Sequence, residues 1–340
     1  MNCLKEKNNL IVVIMVISLV LIFTGCSNNK KAAYERDIFA MDTFITCKII
    51  SDDEALANSG LDAVEEEFMK IDQLTNRFEA GSEVSLLNKS AGLKPVKIND
   101  DVFSIVQTAI EWSDKSDGAF NILIGSVMDL WGFGTETPAI PNEQDIAVVL
   151  NKMDYHKIFL DAEKSTIFLS EKGMVMDLGG VAKGYATDKA IERLKNLGVK
   201  NALINAGGNV FAMGVKEDGS PWIVGVQDPN DVEGIKAVLQ ISDKAVVSSG
   251  DYQRYFEVAG IRYHHILDPH TGFPARASRG TTIVMKSATI ADILSTTLFV
   301  LGPEKGIALA ESLVQVDAAL VLTDDDRIYG TDSLDEYLLE

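Results

Sequence analysis

Cysteine is scarce in this chain: its 340 residues contain only Cys3, Cys26 and Cys47. The first two fall within or at the end of a leader-like segment, which leaves Cys47 alone. That excludes an intrachain disulfide framework and a cysteine-rich metal centre. Cys47 lies in the strand-like run Thr43–Ile50 and is expected to pack, not to react. Cationic side chains are also in short supply. There are 31 Lys and Arg against 50 Asp and Glu, a formal net charge of −19. Nucleic-acid binding rests on neutralising phosphates with Lys and Arg, so that class is disfavoured, as is a basic membrane-facing surface. Acidity serves solubility in any case. A chain this acidic that handles an anion must neutralise it locally, with a metal ion, helix N-termini or backbone N–H groups. Internal repeats and low-complexity tracts are absent as well.

The N-terminal apolar run, Leu10 to Phe23, is shorter than the roughly 20 residues a membrane-spanning helix needs. It follows Lys5 and Lys7 and precedes Thr24-Gly25-Cys26, after which Ser27 to Lys31 is polar. A charged start, a short apolar core and small residues before a cut describe a secretory signal, with an uncleaved anchor as the alternative. The Thr-Gly-Cys step is similar to a bacterial lipobox, with Phe23 where Leu is usual. Residues 1–25 are thus expected to be a lipoprotein signal peptide. Cys26 would be the diacylated mature N-terminus, 26–35 a polar linker, and 36–340 the folded part, held at the extracytoplasmic face of the cell membrane.

A strand is predicted at about 38–50. Apolar residues at Leu56, Leu61, Val64, Phe68, Ile71 and Leu74 predict an amphipathic helix within Glu54–Phe78. A second helix is predicted over about 100–116 and a hairpin from Tyr155–Leu160 and Thr166–Ser170. Val175-Met176-Asp177 reads as a strand end, and a helix runs from about Lys183 to Leu197, stopped by Gly198. Short strands follow at Ala202–Asn205, Val210–Met213, Trp222–Val226, Lys236–Ile241, Ala245–Val247, Arg254–Val258, Tyr263–Leu267 and Thr281–Met285. Helices at about 290–301 and 304–314 are separated by Gly302-Pro303, and late strands fall at Ala318–Leu322 and Arg327–Tyr329. Consecutive hairpin-like strands predict a mainly antiparallel sheet and an α+β fold.

Four segments carry chemistry. Asp177 to Ala186 runs from a strand through Gly179-Gly180 into a helix start, with Lys183 adding a mobile positive charge. Glycines there allow close backbone approach, and free helix-start N–H groups favour an anion, although an ordinary turn reads the same way. The segment matches neither GxxxxGK[ST] nor GxGxxG. Asn205-Ala206-Gly207-Gly208-Asn209 is either a plain hairpin or a second point of close ligand approach. His264, His265 and His270 gather in the third segment. Zinc comes to mind, but strand alternation sends His264 and His265 to opposite faces, and no Glu-x-x-His pattern is present. One histidine acting as general base or phosphate contact remains, beside a structural turn at Asp268-Pro269. In the fourth, Asp292 and Thr296 share one helix face, four residues apart. Their oxygens suit Mg²⁺ or Ca²⁺, and a buried carboxylate in apolar surroundings needs a partner; a core or capping hydrogen bond is the simpler alternative.

These segments occur alongside others in a fixed order: Met41-Asp42-Thr43, Asn76-Arg77-Phe78 with Ser82-Glu83, Asp117-Gly118-Ala119-Phe120-Asn121, Leu130-Trp131-Gly132-Phe133-Gly134 and Val247-Ser248-Ser249-Gly250-Asp251-Tyr252. With them the chain resembles the ApbE family of FAD:protein FMN transferases, from about Phe39 to Leu322. The resemblance implies an α+β architecture related to the T-fold, with FAD in a cleft between two subdomains. It implies flavin contacts at Met41, Phe78, Ala119, Phe120 and Asn121, with Phe78 where Tyr is common. Further FAD contacts would be Asp177, Lys183, His265, Ile266 and Ser295. Mg²⁺ would be held by the Gly180 carbonyl, Asp292 and Thr296, with His265 as the candidate base. The implied reaction moves FMN from FAD onto a Thr or Ser of a target protein and releases AMP. Targets of the family include Rnf- and Nqr-type redox subunits. A Mg²⁺-dependent FAD pyrophosphatase, an FAD-binding lipoprotein and an extracellular scaffold module are the rival readings.

Overall fold

The computed structural model describes residues 31–339. The expected signal peptide, the Cys26 lipidation site and the first part of the linker lie outside the described residues. Strand β1 (Ala32–Ala40) and β2 (Thr43–Ser51) lead into helix α1 (Glu54–Thr75), α2 (Glu83–Lys89), β3 (Val96–Lys97) and α3 (Asp100–Lys115). Then come α4 (Gly125–Trp131), α5 (Glu143–Leu150), β4 (Ile158–Asp161), β5 (Thr166–Leu169) and α6 (Ala182–Leu197). Six strands follow: β6 (Asn201–Ala206), β7 (Asn209–Met213), β8 (Trp222–Asp228), β9 (Asp231–Ile241), β10 (Lys244–Gly250) and β11 (Tyr255–Val258). The chain closes with β12 (Ile261–His264), β13 (Gly280–Met285), α7 (Ala288–Ser312), β14 (Val316–Leu322) and β15 (Ile328–Gly330).

The main sheet has eight strands in the order β1-β2-β6-β7-β10-β13-β14-β15, and every pairing in it is antiparallel. Period-two alternation gives it two apolar faces. Ile45, Cys47, Ile49, Ile204, Phe211 and Val247 point into a core shared with α1, α6 and α7. Val210, Ala212, Val246, Val284 and Leu320 point the other way, under the hairpin of β8 and β9. The sheet is thus sandwiched, and its strand ends at one edge of the sandwich are left to carry loops. Cys47 is wholly buried, and burial pushes its thiol up to about 12, so packing is its role.

The predicted elements recur, with differences that have local causes. β1 begins at Ala32, so residues 32–35 of the expected linker are a sheet edge strand, whose polarity hid it. Helix α1 ends at Thr75, where the Asn76 N–H caps Asp72 O, and the loop expected from Asn76 to Ser82 follows with Phe78 in it. The expected strand end at Val175–Asp177 has no strand partner: Met176 N–H donates to Asn88 Oδ1 and Asp177 N–H to Ile122 O. The two C-terminal helices form one run broken at Gly302, whose φ of 79° and ψ of 179° interrupt the helix before Pro303. Short helices α2, α4 and α5 were not anticipated.

Candidate active site

The cleft opens where three hairpin or loop ends of the main sheet meet the starts of α6 and the body of α7. It has a volume of ≈ 730 Å³. The β1–β2 turn forms one lip. Met41 and Asp42 both hold positive φ, 55° and 57°, as a two-residue primed turn demands. A side chain such as Met in that region is uncommon and costs about 1–2 kcal/mol, so the surrounding fold must impose it. Beside it, the β6–β7 turn uses Gly207 and Gly208, with φ of 59° and 96°. A Cβ on Gly207 would strike the Thr43 hydroxyl, so only glycine lets these two turns sit side by side.

Asp292 forms the floor. It is only 4% exposed, and its Oδ2 accepts one hydrogen bond, from Gly184 N–H at 3.0 Å. Among the described residues no cationic side chain pairs with it. The position is set by a reciprocal lock between two helices. Asp188 on α6 takes the start of α7, accepting from Ala288 N–H, Thr289 N–H, Ser287 Oγ and Thr289 Oγ1 at 2.7–2.9 Å. Asp292 on α7 takes the start of α6 in return. Contact is so close that a Cβ at Gly184 would meet the Ala288 carbonyl and stand 2.8 Å from Asp292 Cβ. Thr296 lies one helical turn beyond Asp292 and also lines the cleft. Gly180 is brought against it: a Cβ built there would be 3.8 Å from Thr296 Oγ1 and 3.1 Å from the Phe120 ring. Asp292, Thr296 and Gly180 thus line one corner of the cleft, a carboxylate, a hydroxyl and a peptide unit whose oxygens are of the hard type.

His265 stands on another wall. Its Nδ1 is 3.3 Å from the Arg254 carbonyl, which can only accept, so Nδ1 carries the proton and Nε2 is left with a free lone pair. Burial pushes the imidazole down to about 4, and the nearby Arg254 and Lys183 charges push the same way. It is neutral at working pH. The adjacent His264 faces the opposite direction. It is buried, its Nε2 is 2.9 Å from Ala275 O, and burial lowers it to about 3. The two rings do not converge on a common ion. His270 bridges two loops, with Nδ1 3.2 Å from Asp268 Oδ1 and Nε2 3.0 Å from Asp117 O. The Asp268–Gly272 turn is also present, closed by Gly272 N–H to Asp268 O.

The remaining candidates form the mouth and the inner wall. Phe78 is 70% exposed, and the Arg77 guanidinium lies 4.2 Å over its ring. Arg77 also donates through Nε to Asp177 Oδ2 at 2.7 Å and through Nη2 to Asp129 Oδ1 at 2.8 Å. Asp177 is therefore held in place by Arg77 and by Gly179 N–H. Met41, Ala119, Phe120, Asn121, Lys183 and Ile266 line the same cleft. The Asn121 side chain is already engaged, with Met153 O and Leu123 N–H. Ser295 departs from expectation. It is wholly buried away from the cleft, its Oγ bonded to Asp292 O and paired with Ser249 Oγ at 2.8 Å. Next to Thr296 in sequence but about 100° around the helix from it, Ser295 faces the sheet and bonds the Asp292 carbonyl.

Some cleft residues escaped the reading of single residues. Arg254 lines the cleft, and its Nη2 lies 3.4 Å from Asp42 O, tying the loop after β10 to the β1–β2 lip. Asn209, also lining, has a buried amide nitrogen with no hydrogen-bond partner. Nothing local in the sequence marks Arg254, whereas Asn209 closes the Asn205–Asn209 glycine turn already singled out from the sequence, although its unpartnered amide is visible only in the fold.

The ApbE family model matches residues 41–320. A curated relative named FAD:protein FMN transferase, from Treponema pallidum (strain Nichols), is 36% identical over 281 residues, 77% of each chain. Another of that name, from Klebsiella pneumoniae (strain 342), is 35% identical and covers 90% of this chain and 93% of its own. The crystal structure of the ApbE protein of Thermotoga maritima superposes with a TM-score of 0.85 at 30% identity, covering 91% of this chain and all of that one. The cleft therefore sits in a fold and a sequence that agree along nearly their whole length, and the chain belongs to the ApbE family.

Proposed function

We propose that this transferase is a Mg²⁺-dependent FAD:protein FMN transferase. The observation that carries the reading is Asp292: a buried carboxylate on the cleft floor, with one hydrogen-bond donor and no cationic partner among the described residues, beside Thr296 and Gly180. A buried carboxylate in that state is costly unless a cation completes it. Asp292, Thr296 and the Gly180 carbonyl would hold Mg²⁺, and the donor set fits that ion. When bound, Mg²⁺ would neutralise the diphosphate of FAD and favour departure of its AMP half.

The protein's own groups do the rest. Phe78 offers an exposed ring face for the flavin. Lys183, whose Nζ reaches only the Gly179 carbonyl at 3.1 Å, can turn to an anion at the start of α6. Nε2 of His265 takes the proton from the acceptor Thr or Ser hydroxyl. That oxygen bonds to the FMN phosphorus, the phosphorus–oxygen bond to AMP breaks, and AMP leaves with the electron pair. Asp292 is a ligand and not a nucleophile, so transfer is direct. Tethering through Cys26 would hold the enzyme at the extracytoplasmic membrane face, beside acceptors such as Rnf- or Nqr-type redox subunits.

The test is incubation of the enzyme with FAD and such a subunit, with and without Mg²⁺, followed by intact-protein mass measurement. The expected result is an acceptor carrying one FMN only when Mg²⁺ is present. Free FMN and AMP with an unmodified acceptor would show a pyrophosphatase instead.

A further inference from the structure

We infer that the free edge of β8 is where the acceptor protein docks, as an added strand in a crevice continuous with the active-site cleft; this rests on the transferase reading above. β8 belongs to a two-stranded sheet, with β9 as its only strand partner among the described residues. The far edge of β9 is taken. Gln240 N–H donates to Tyr337 O and Leu339 N–H to Val238 O, each at 2.8 Å. Along an antiparallel strand, successive residues direct their N–H and C=O to opposite sides. Val238 and Gln240 thus face the C-terminal segment, and Leu239 and Ile241 face β8, opposite Val224 and Trp222. The N–H and C=O of Ile223 and Gly225 consequently point away from β9, and no other strand takes them up. Both residues are exposed.

Such an edge is a template for an extended peptide. Here it opens onto the reaction site: Val224 and Gly225 line the same cavity as His265 and Asp292. Val210 and Val246, which share a buried cluster with Val224, line the cavity with it, as do Asn205, Gly208 and Ser248 of the same sheet strands and their turn; none of these is ionisable. In a chain of net charge −19, that neutral stretch favours an uncharged segment. FAD has no backbone to pair with a strand, and the residues its flavin is expected to meet lie on other elements. A protein substrate must bring its hydroxyl to the same phosphorus. The β8 edge supplies main-chain pairing for the residues flanking that hydroxyl.

Ile223→Pro and Gly225→Pro each delete one outward N–H and leave the β8–β9 bonds in place. With an Nqr-type redox subunit as probe, each should raise the KM for the subunit about tenfold, the worth of one backbone hydrogen bond, with FAD affinity unchanged. In the unsubstituted enzyme, hydrogen exchange at the Ile223 and Gly225 amides should slow when the subunit is added. Unchanged KM in both variants, or unchanged exchange, would overturn the proposal. So would protection that grows with enzyme concentration without the subunit, which would give the edge to a second copy of this chain. Absence of FMN transfer by the unsubstituted enzyme would show that the transferase reading had failed first, before any variant was compared.

Discussion

Asp292 receives a single backbone donor where a sealed carboxylate ordinarily collects several partners. Its replacement by Ala should lower Mg²⁺-supported transfer by about 10³-fold, the several kcal/mol that charge neutralisation at a diphosphate supplies. Isothermal titration with Mg²⁺ in the presence of FAD should show the matching loss of ion binding, and retained binding would remove the metal assignment. His265→Ala should cut kcat by about 10²–10⁴-fold with little change in FAD affinity, because the ring acts on the acceptor proton. The imidazole is held near 4 in the free enzyme by burial and two cationic neighbours. A depressed histidine is neutral above its folded value, so the acid limb of kcat/KM should fall near pH 4 and not near 6.5. A diphosphate entering beside it adds negative charge, which favours imidazolium and makes the ring a stronger base. Imidazole resonances followed by NMR should therefore titrate at higher pH with FAD bound than without it.

At the scale of elements, the site depends on how α6 and α7 cross. Each helix start is capped by a carboxylate from the other, Asp188 in one direction and Asp292 in the other. The exchange needs the bare backbone of Gly184. Gly184→Ala would place a methyl against the Ala288 carbonyl and Asp292 Cβ, and overpacking of that kind costs about 1–3 kcal/mol. Urea denaturation should show that loss, together with weaker Mg²⁺ binding because Asp292 must move. The pairing of Asp292 with Thr296 was legible from their four-residue spacing alone. Ser295 was not placed correctly, because its orientation follows from which side of α7 meets the sheet. The short helices α2 and α5 were missed for a different reason. Each begins at a good N-cap, Ser82 or Asn142, but spans too few turns for an apolar period to emerge.

Over the whole molecule, a net charge of −19 repels an anionic dinucleotide at long range, while Lys183 and Arg254 attract it only within the cleft. Raising ionic strength screens the long-range term first, so the association rate of FAD should rise a few-fold with salt, measured by stopped-flow flavin fluorescence. A falling rate would mean that the cleft's own field dominates. The sequence by itself determined the α+β class, most strand and helix positions, the packing role of Cys47 and the family, because period-two and period-3.6 patterns and local motifs are properties of neighbouring residues. Tertiary structure alone decided that Asp188 and Asp292 each cap the other's helix, that of two histidines on opposite faces His265 is the one on the cleft, and that β8 keeps an open edge among the described residues. Those facts depend on strand order and helix crossing, which bring together groups far apart along the chain, and no local pattern records them.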